Sequence, residues 1–197
     1  MTNAEKLEAM LVQNEGLLFT NETVSSGIPN TYLTGFVRKG KLERIGYGVY
    51  AAPDSLEDTM YILQQRRGKI IYSHDTALFL HDLTDRDPLS YCVTVPTGYN
   101  TKKLCGDGLL VFSIKKELYE LGVTIAQTPF GRSIRTYSME RTICDLIRSR
   151  SKMDIAILTD ALKRYVRRKN KNIPLLMQYA EIFHVDKPIR GYLEVLL

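Results

Sequence analysis

The first fifty residues carry apolar side chains first at helical spacing and then at strand spacing. Residues 20–26 are a short polar segment ended by Gly27, and Pro29 opens a second segment, where its missing backbone N–H is not needed. This second segment runs to about Lys39 and is closed by Gly40. Its apolar residues share one side, which matches the apolar side of an earlier helix: Leu33, Phe36 and Val37 against Leu7, Met10 and Leu11. The pattern predicts three short helices around a common core.

A glycine-bracketed β-hairpin is predicted immediately after these helices. Residues 41–45 and 49–51 have strand character and flank Gly46-Tyr47-Gly48, which has the composition of a tight turn. Three helices followed by a two-stranded wing are typical of a winged helix-turn-helix, a fold that places one helix in a groove of DNA. We therefore predict a winged helix-turn-helix domain over residues 1–54.

The side of the second helix that faces away from the predicted core is polar, and the wing is basic. Four cations lie close together in the sequence: Arg38, Lys39, Lys41 and Arg44. Thr31 and Thr34 lie on the outer side of the helix, and Tyr47 lies at the wing tip. Threonine and arginine side chains contact base edges, and neighbouring cations contact phosphates. The alternative is an ordinary solvated surface.

The remainder of the chain is predicted to form a mixed α/β domain over residues 55–197. Pro53-Asp54-Ser55 marks the boundary, and Ser55 is placed to cap a helix of about residues 56–65. Further strands and serine-capped helices follow, with strands at 69–72, 91–95, 109–114 and 123–126 and helices after Ser73 and Ser138. The whole chain is thus expected to belong to the α+β class.

A second basic surface is predicted on an amphipathic helix in this domain. The formal net charge is +5, and the excess lies after residue 55, because the first 55 residues hold five basic and six acidic ones. The helix places five cations opposite its apolar side: Lys163, Arg164, Arg167, Arg168 and Lys171. No acidic residue occurs between Ala161 and Ala180, and unpaired like charges repel. A polyanion is therefore the expected partner, with a solvated helix face as the alternative.

Motifs for catalysis, cofactors and metals are weak or missing, so none of these is predicted. His74 and His81 form an incomplete ligand set, and their spacing is not typical of a metal site. Three widely spaced cysteines, Cys92, Cys105 and Cys144, are expected to be small buried side chains in a reducing cytosol. No apolar run approaches the ~20 residues of a membrane span. A cytoplasmic protein without a membrane partner is expected.

Four segments, taken in order, carry a resemblance to a known family. They are residues 42–50 (LERIGYGVY), 72–83 (YSHDTALFLHDL), 93–96 (VTVP) and 137–146 (YSMERTICDL). Together they resemble the AbiEi family, the antitoxin and transcriptional repressor of bacterial abortive-infection toxin–antitoxin systems. The similarity covers essentially the whole chain, and its compact form resembles the Gram-positive, streptococcal-like members.

The resemblance implies an antitoxin that represses its own operon. Such proteins bind inverted repeats of double-stranded DNA at the promoter through the N-terminal winged domain. The functional partner is an AbiEii-like toxin, a nucleotidyltransferase-like protein that many members oppose without a stable complex (type IV). Carried onto this chain, the base contacts are Thr31, Thr34 and Arg38, and the backbone or wing contacts are Lys39, Lys41, Arg44 and Tyr47.

Two other classes of function stay open at this point. The winged unit could dock a protein, in which case DNA affinity and its dependence on salt would be weak. An enzyme that acts on nucleic acid or nucleotides would use His74, Asp75 and His81. Metal-dependent turnover that is lost on His74→Ala would favour that alternative.

Overall fold

The computed structural model describes residues 1–152 and 154–196 and consists of two compact units, Met1–Ile62 and Leu63–Leu197. The first unit extends beyond residue 54, where the sequence placed the boundary. Tyr61 explains part of the difference, because its ring packs edge-on against Phe19 with the ring centroids 6.1 Å apart. Tyr61 and Ile62 thereby cover a small apolar cluster of the first unit.

The first unit has the order helix, strand, helix, helix, strand, strand. Its elements are α1 (Asn3–Gln13), β1 (Leu17–Phe19), α2 (Thr20–Ser25), α3 (Asn30–Arg38), β2 (Glu43–Gly46) and β3 (Val49–Ala51). The strands form an antiparallel sheet in the order β1-β3-β2. The helices at 20–26 and 29–39 and the hairpin were predicted to within about two residues. Strand β1 was not, because its three buried apolar residues show no alternation.

Helix α3 packs its apolar side into the core of this unit. The buried cluster contains Leu7, Leu18, Ile28, Leu33, Phe36 and Leu42, with Met10, Leu11 and Val37 packed against it. The predicted match between the apolar sides of α1 and α3 is therefore confirmed. Gly27 takes the left-handed backbone conformation (φ +76°) that ends α2 and turns the chain toward α3.

The second unit combines a five-stranded sheet with helices. Helix α4 (Thr59–Arg67) contains the boundary between the units and leads into the elements of the second. These are β4 (Ile71–Tyr72), α5 (His74–Leu80), β5 (Cys92–Pro96), α6 (Lys102–Gly106), β6 (Leu110–Ile114), α7 (Lys116–Tyr119), β7 (Val123–Gln127), β8 (Ser133–Tyr137), α8 (Met139–Arg148), a 3-10 turn (Arg150–Lys152), α9 (Ile155–Arg167), α10 (Ile173–Ile182) and α11 (Asp186–Leu196). The strand order is β6-β5-β4-β8-β7, with β5–β6 and β4–β8 parallel and the other pairs antiparallel. The chain is an α+β protein.

One large apolar core supports the second unit. Side chains from β4, α5, α8, α9, α10 and α11 contribute to it, and its fully buried members include Ile71, Leu78, Ile143, Leu162, Leu176 and Ile189. Helix α8 is buried over almost its whole length, because α5, α9 and α10 pack around it.

Two predicted helix caps differ from the structure. The helix expected from residue 56 begins at Thr59, because Asp58 rather than Ser55 accepts the backbone N–H of Tyr61, at 3.0 Å. Ser73 does stand at the start of α5, but its hydroxyl makes no cap hydrogen bond. Ser138 caps α8 as predicted, accepting the backbone N–H of Arg141 at 3.3 Å.

Candidate nucleic-acid interface

Helix α3 separates buried apolar residues from exposed polar ones. Leu33 and Phe36 are buried, whereas Thr31, Thr34 and Arg38 are exposed on the outer side. The Thr34 hydroxyl lies 3.4 Å from the backbone carbonyl oxygen of Asn30, one turn earlier, and donates to it. This weak bond within the helix leaves the methyl group and the oxygen lone pairs of Thr34 at the surface. The outer side of α3 can therefore offer both hydrogen-bonding and apolar contacts.

Arg38 and Lys39 end the helix as two exposed cations. Arg38 is the last helical residue and Lys39 is the C-cap, a position where positive charge is favoured by the helix dipole. Neither has an ion-pair partner among residues 1–152 and 154–196. Both side chains are thus available to an external anion.

Lys41 is less available than the sequence suggests. Its ammonium group lies 2.6 Å from a carboxylate oxygen of Glu8 on α1, and 5.4 Å from the centre of the Phe36 ring. Both partners of the ion pair are about half exposed, so the pair contributes roughly 0–1 kcal/mol to stability. A phosphate could displace Glu8, but it would have to compete with it.

The hairpin carries Arg44 and Tyr47 at the surface. Arg44 is exposed, and its Nε–H donates to the carbonyl of Gly46 at 3.3 Å, which holds the guanidinium against the turn. Tyr47 is 84% exposed at the tip. Gly48 follows with φ +69°, a conformation that a side chain would strain. The turn therefore holds an aromatic ring and a cation at the surface of the hairpin.

The sequence predicted that all five cations of the second basic surface lie on one continuous helix, but in the structure they do not. Helix α9 ends at Arg167, because Arg168 has an extended backbone (φ −67°, ψ 137°). Lys171 lies in the connection to α10, which Asn172 begins by accepting the backbone N–H of Leu175 at 3.0 Å. Helix periodicity therefore cannot place Arg168 and Lys171 on the face of α9.

Two of the five predicted cations form ion pairs that sequence proximity did not reveal. Arg164 donates to both Asp85, at 2.8 Å from Nη1, and Asp160, at 2.8 Å from Nε. Arg168 lies 3.7 Å from a carboxylate oxygen of Asp82 and also donates to the backbone carbonyl of that residue. The expectation that these charges are unpaired is wrong for Arg164 and Arg168. Asp85 and Asp82 come from a loop about eighty residues away, and Asp160 lies one turn before Arg164 on α9 itself.

The other three cations of the second basic surface form no such ion pairs within the described residues. Lys163 and Arg167 are exposed and have no ion-pair partner in the part of the chain that the structure describes. The ammonium of Lys171 lies 3.5 Å from the carbonyl oxygen of Arg168. A sequence signal for the pairing does exist, since residues 82–87 (DLTDRD) hold three aspartates.

His74 and His81 are both embedded in the protein, and their rings contact different groups. Both ring nitrogens of the buried His74 face serine hydroxyls, Ser73 at 3.0 Å and Ser149 at 3.1 Å, and the ring stacks on Phe112. Burial, helped by nearby arginines, lowers the pKa of His74 to about 3. His81 donates from Nε2 to the Tyr137 carbonyl at 2.7 Å, and burial lowers its pKa as well.

These contacts account for both ring nitrogens of His74 and for Nε2 of His81. Among the described residues, no group of three or more His, Cys, Asp or Glu side chains could hold a metal ion. Cys92 and Cys144 are buried as expected, whereas Cys105 is exposed, which corrects the prediction for that residue. In the same part of the chain, no helix is both long and apolar enough to cross a membrane.

Comparison with known proteins gives a likeness in fold. No protein-family model matches the sequence, and no curated protein matches it either. The crystal structure of the RV2827C protein from Mycobacterium tuberculosis aligns with 90% of this chain and 72% of its own, with a TM-score of 0.55 and 12% sequence identity. At that identity the similarity extends to the arrangement of helices and strands alone.

Proposed function

We propose that the first unit is a winged helix-turn-helix that binds double-stranded DNA. The observation that carries this proposal is that α3 and the hairpin each have a buried apolar side and an exposed polar side. All seven side chains expected at DNA are exposed, whereas Leu33, Phe36 and Val49 of the same elements are buried. The order of helices and strands is also that of a helix-turn-helix with a wing.

The exposed residues divide into two roles. With α3 in the major groove, Thr31, Thr34 and Arg38 contact base edges. Lys39, Arg44 and Tyr47 contact the sugar-phosphate backbone and supply affinity without sequence preference. Lys41 belongs to this second group but contributes less, because Glu8 already compensates its charge.

We further propose that the protein is an antitoxin that represses its own operon. This step depends on the resemblance to the AbiEi family, with inverted repeats at the promoter as the DNA target. An AbiEii-like toxin is the functional partner, and the second unit opposes it. The cations of the second unit, above all Lys163 and Arg167, add a further contact to the operator.

The test is fluorescence anisotropy with labelled DNA from the upstream promoter and with a scrambled duplex, over a range of salt concentrations. We expect binding that is selective for the promoter. The logarithm of the binding constant should fall with the logarithm of the salt concentration, with a slope of about 0.9 for each phosphate neutralised. Arg44→Ala should weaken binding to both duplexes and flatten the slope by about 1. Arg38→Ala should reduce the preference for the promoter by about 1–3 kcal/mol.

Lys6→Ala is the matched control, because Lys6 is an exposed cation on α1 outside the proposed interface. It should change the preference for the promoter less than Arg38→Ala does, and the salt slope less than Arg44→Ala does. If all three variants bind like the unchanged protein, the winged unit does not contact DNA through α3 and the hairpin. Toxin capture then becomes the test of the protein-docking alternative.

A further inference from the structure

Strand β6 lies at an edge of the five-stranded sheet, where β5 is its one neighbouring strand among the described residues. The N–H of Leu110 donates to the carbonyl of Tyr91 at 2.9 Å, so the backbone groups of Leu110 point toward the β5 side. Successive residues of a strand direct their backbone groups to opposite sides. Val111 and Ser113 therefore direct their N–H and carbonyl groups away from the sheet, where a further strand could pair with them.

This edge lacks the features with which sheets usually prevent the addition of another strand. Such features are a charged side chain, a proline or a β-bulge within the edge strand. The five residues of β6 (LVFSI) include neither a charge nor a proline, and the register with β5 is continuous from Cys92 and Leu110 to Pro96 and Ile114. Ser113 is also exposed. Strand β6 thus offers main-chain hydrogen bonds to an extended peptide.

An apolar cavity of about 300 Å³ lies at the Leu110 end of this edge. Its apolar wall includes Leu78, Leu89, Leu110 and Ile157. Leu89 is fully exposed and Leu110 is 53% exposed, so the cavity can be entered from the surface beside β6. Where a peptide adds to a sheet edge, pockets that accept its alternate side chains supply the specificity. This cavity is placed to accept one apolar side chain of an added strand.

Two cations follow β6 at its other end. Lys115 and Lys116 are exposed and have no ion-pair partner in the described part of the chain. Glu117, the next residue, offsets only one of these charges. Antiparallel pairing is the more stable arrangement of two strands, and a strand added in that direction begins at the lysines and ends at the cavity. Acidic residues at its N-terminal end would therefore complement the two lysines.

We propose that the β6 edge binds an extended segment of another protein, which adds to the sheet antiparallel to β6. The segment begins with acidic residues and ends with an apolar residue that enters the cavity. Its residues opposite Val111 and Ser113 exchange main-chain hydrogen bonds with them, and its apolar residue lies opposite Leu110, on the same face of the sheet. This inference goes beyond the proposed DNA binding and does not depend on it.

Fluorescence polarisation of a labelled peptide, EETTVTLS, measures this binding with the full chain. In the proposed register its two glutamates lie opposite Lys116 and Lys115, and its leucine lies opposite Leu110. The peptide EELTVTTS has the same composition and charge, but its leucine lies opposite Ile114, away from the cavity. We expect EETTVTLS to bind at least tenfold more tightly than EELTVTTS.

Methylation of peptide nitrogens separates strand addition from simple occupation of the cavity. The two threonines on either side of the valine in EETTVTLS lie opposite Ser113 and Val111, so their N–H groups point toward β6. Methylating both of these nitrogens should weaken binding at least tenfold. Methylating the valine and leucine nitrogens, which point to solvent, should change the affinity less than threefold.

A proline variant tests the same hydrogen bonds from the side of the protein. Ser113→Pro removes an outward N–H of β6, and proline is tolerated at such a position of an edge strand. It should weaken EETTVTLS at least tenfold. Ile125→Pro is the matched control, because Ile125 is 58% exposed on β7, the opposite edge, and its N–H also points away from the sheet. No lysine or arginine occurs in residues 117–131 around β7, so the acidic peptide should not choose that edge.

Four results would overturn the proposal. EETTVTLS does not bind at millimolar concentration, the two methylation patterns weaken it equally, or Ser113→Pro and Ile125→Pro have equal effects. The fourth is a dimer in sedimentation velocity that Ser113→Pro dissociates, which would assign the edge to a second copy of this chain. Circular dichroism establishes that each variant is folded, and if Ser113→Pro is not, the methylated peptides decide with the unchanged protein.

Discussion

At the scale of single residues, the second unit is built around a fully buried arginine. Arg141 Nε lies 2.9 Å from a carboxylate oxygen of Asp145, and the guanidinium is 4.1 Å from the centre of the Tyr137 ring and 4.2 Å from that of Phe183. Asp145 is also buried and accepts from Arg148 at 3.0 Å. Each charge is therefore stable in the interior only while its partner is present.

Asp145→Asn should destabilise the protein by about 3–5 kcal/mol, because it leaves Arg141 buried without a compensating charge. Urea unfolding followed by circular dichroism measures this change. Glu181→Gln is the control, since it removes the partner of Arg190 from a pair with both side chains more than half exposed. That pair is worth at most about 1 kcal/mol. Similar losses for the two variants would contradict the structural role given to Arg141.

His74 should make the stability of the protein depend on pH. Its pKa falls from the ordinary 6.5 to about 3 in the folded state, so between these values the unfolded chain binds a proton that the folded chain does not. The contribution of the neutral His74 side chain to the free energy of unfolding is therefore complete above pH 6.5. It decreases by about 1.4 kcal/mol for each pH unit as the pH falls toward 3.

The pH effect can be measured as the change in unfolding free energy between pH 7 and pH 5. His74→Gln should reduce that change, because glutamine does not titrate. His184→Gln, a substitution at an exposed histidine, is the control for the loss of a histidine outside the core. An identical pH dependence in His74→Gln and the unchanged protein would show that the pKa of His74 is the same in the folded and the unfolded chain.

At the scale of elements, local signals explain what could be predicted. Proline, glycine and serine at the ends of α2, α3 and α8 mark helix boundaries through backbone chemistry that acts within a few residues. Helical periodicity likewise places Leu158, Leu162 and Tyr165 on the buried side of α9. It also places Ile155 on that side, and there it is wrong, because Ile155 is 67% exposed. Strand β8 and the pairing of Arg164 with Asp85 depend on contacts between distant segments, which periodicity does not record. The candidate site was therefore predictable as a set of surface residues but not in its ion pairing.

The loop at residues 82–87 should compete with phosphate for the cations at the end of α9. Asp85 pairs with Arg164, so Asp85→Asn removes one of the two carboxylates that hold that guanidinium and leaves only Asp160. If this surface contacts DNA, the substitution should strengthen binding and steepen the salt slope by up to about 1. Anisotropy with a random duplex measures the effect, because phosphate contacts do not depend on sequence.

The same loop supplies the control for this experiment. Asp87→Asn removes an equal charge nearby, but Asp87 forms no ion pair with α9 within the described residues. A gain for Asp85→Asn alone identifies a released contact, whereas equal gains for both variants reflect only the change in net charge. Unchanged binding in both variants would leave α9 as a solvated surface.

At the scale of the whole molecule, the two units differ in charge, and this difference bears on the proposed DNA binding. The first 55 residues hold nearly equal numbers of basic and acidic residues, so the attraction to DNA proposed for the first unit is local, at α3 and the hairpin. The net positive charge lies in the rest of the chain. Long-range attraction to a polyanion must therefore come mainly from the second unit.

This distribution of charge predicts which DNA duplex should lose affinity when cations of the second unit are removed. Lys163 and Arg167 are its exposed, unpaired cations on α9 within the described residues, and both are changed to glutamine in one variant. A full operator offers more phosphates outside the reach of α3 than a single half-site does. The double variant should therefore lose more affinity for the full operator than for the half-site, and more at low salt than at high salt. Anisotropy with the two duplexes measures both differences.

The control for this variant removes the same charge elsewhere in the second unit. Lys102 and Lys103 are exposed on α6, and changing both to glutamine lowers the net charge equally. If attraction is only a matter of net charge, the two double variants lose affinity equally on both duplexes. If α9 contacts the operator, the variant at Lys163 and Arg167 shows the larger loss, and that loss is specific to the full operator. Equal losses would therefore assign the effect to the field of the whole molecule and remove α9 from the interface.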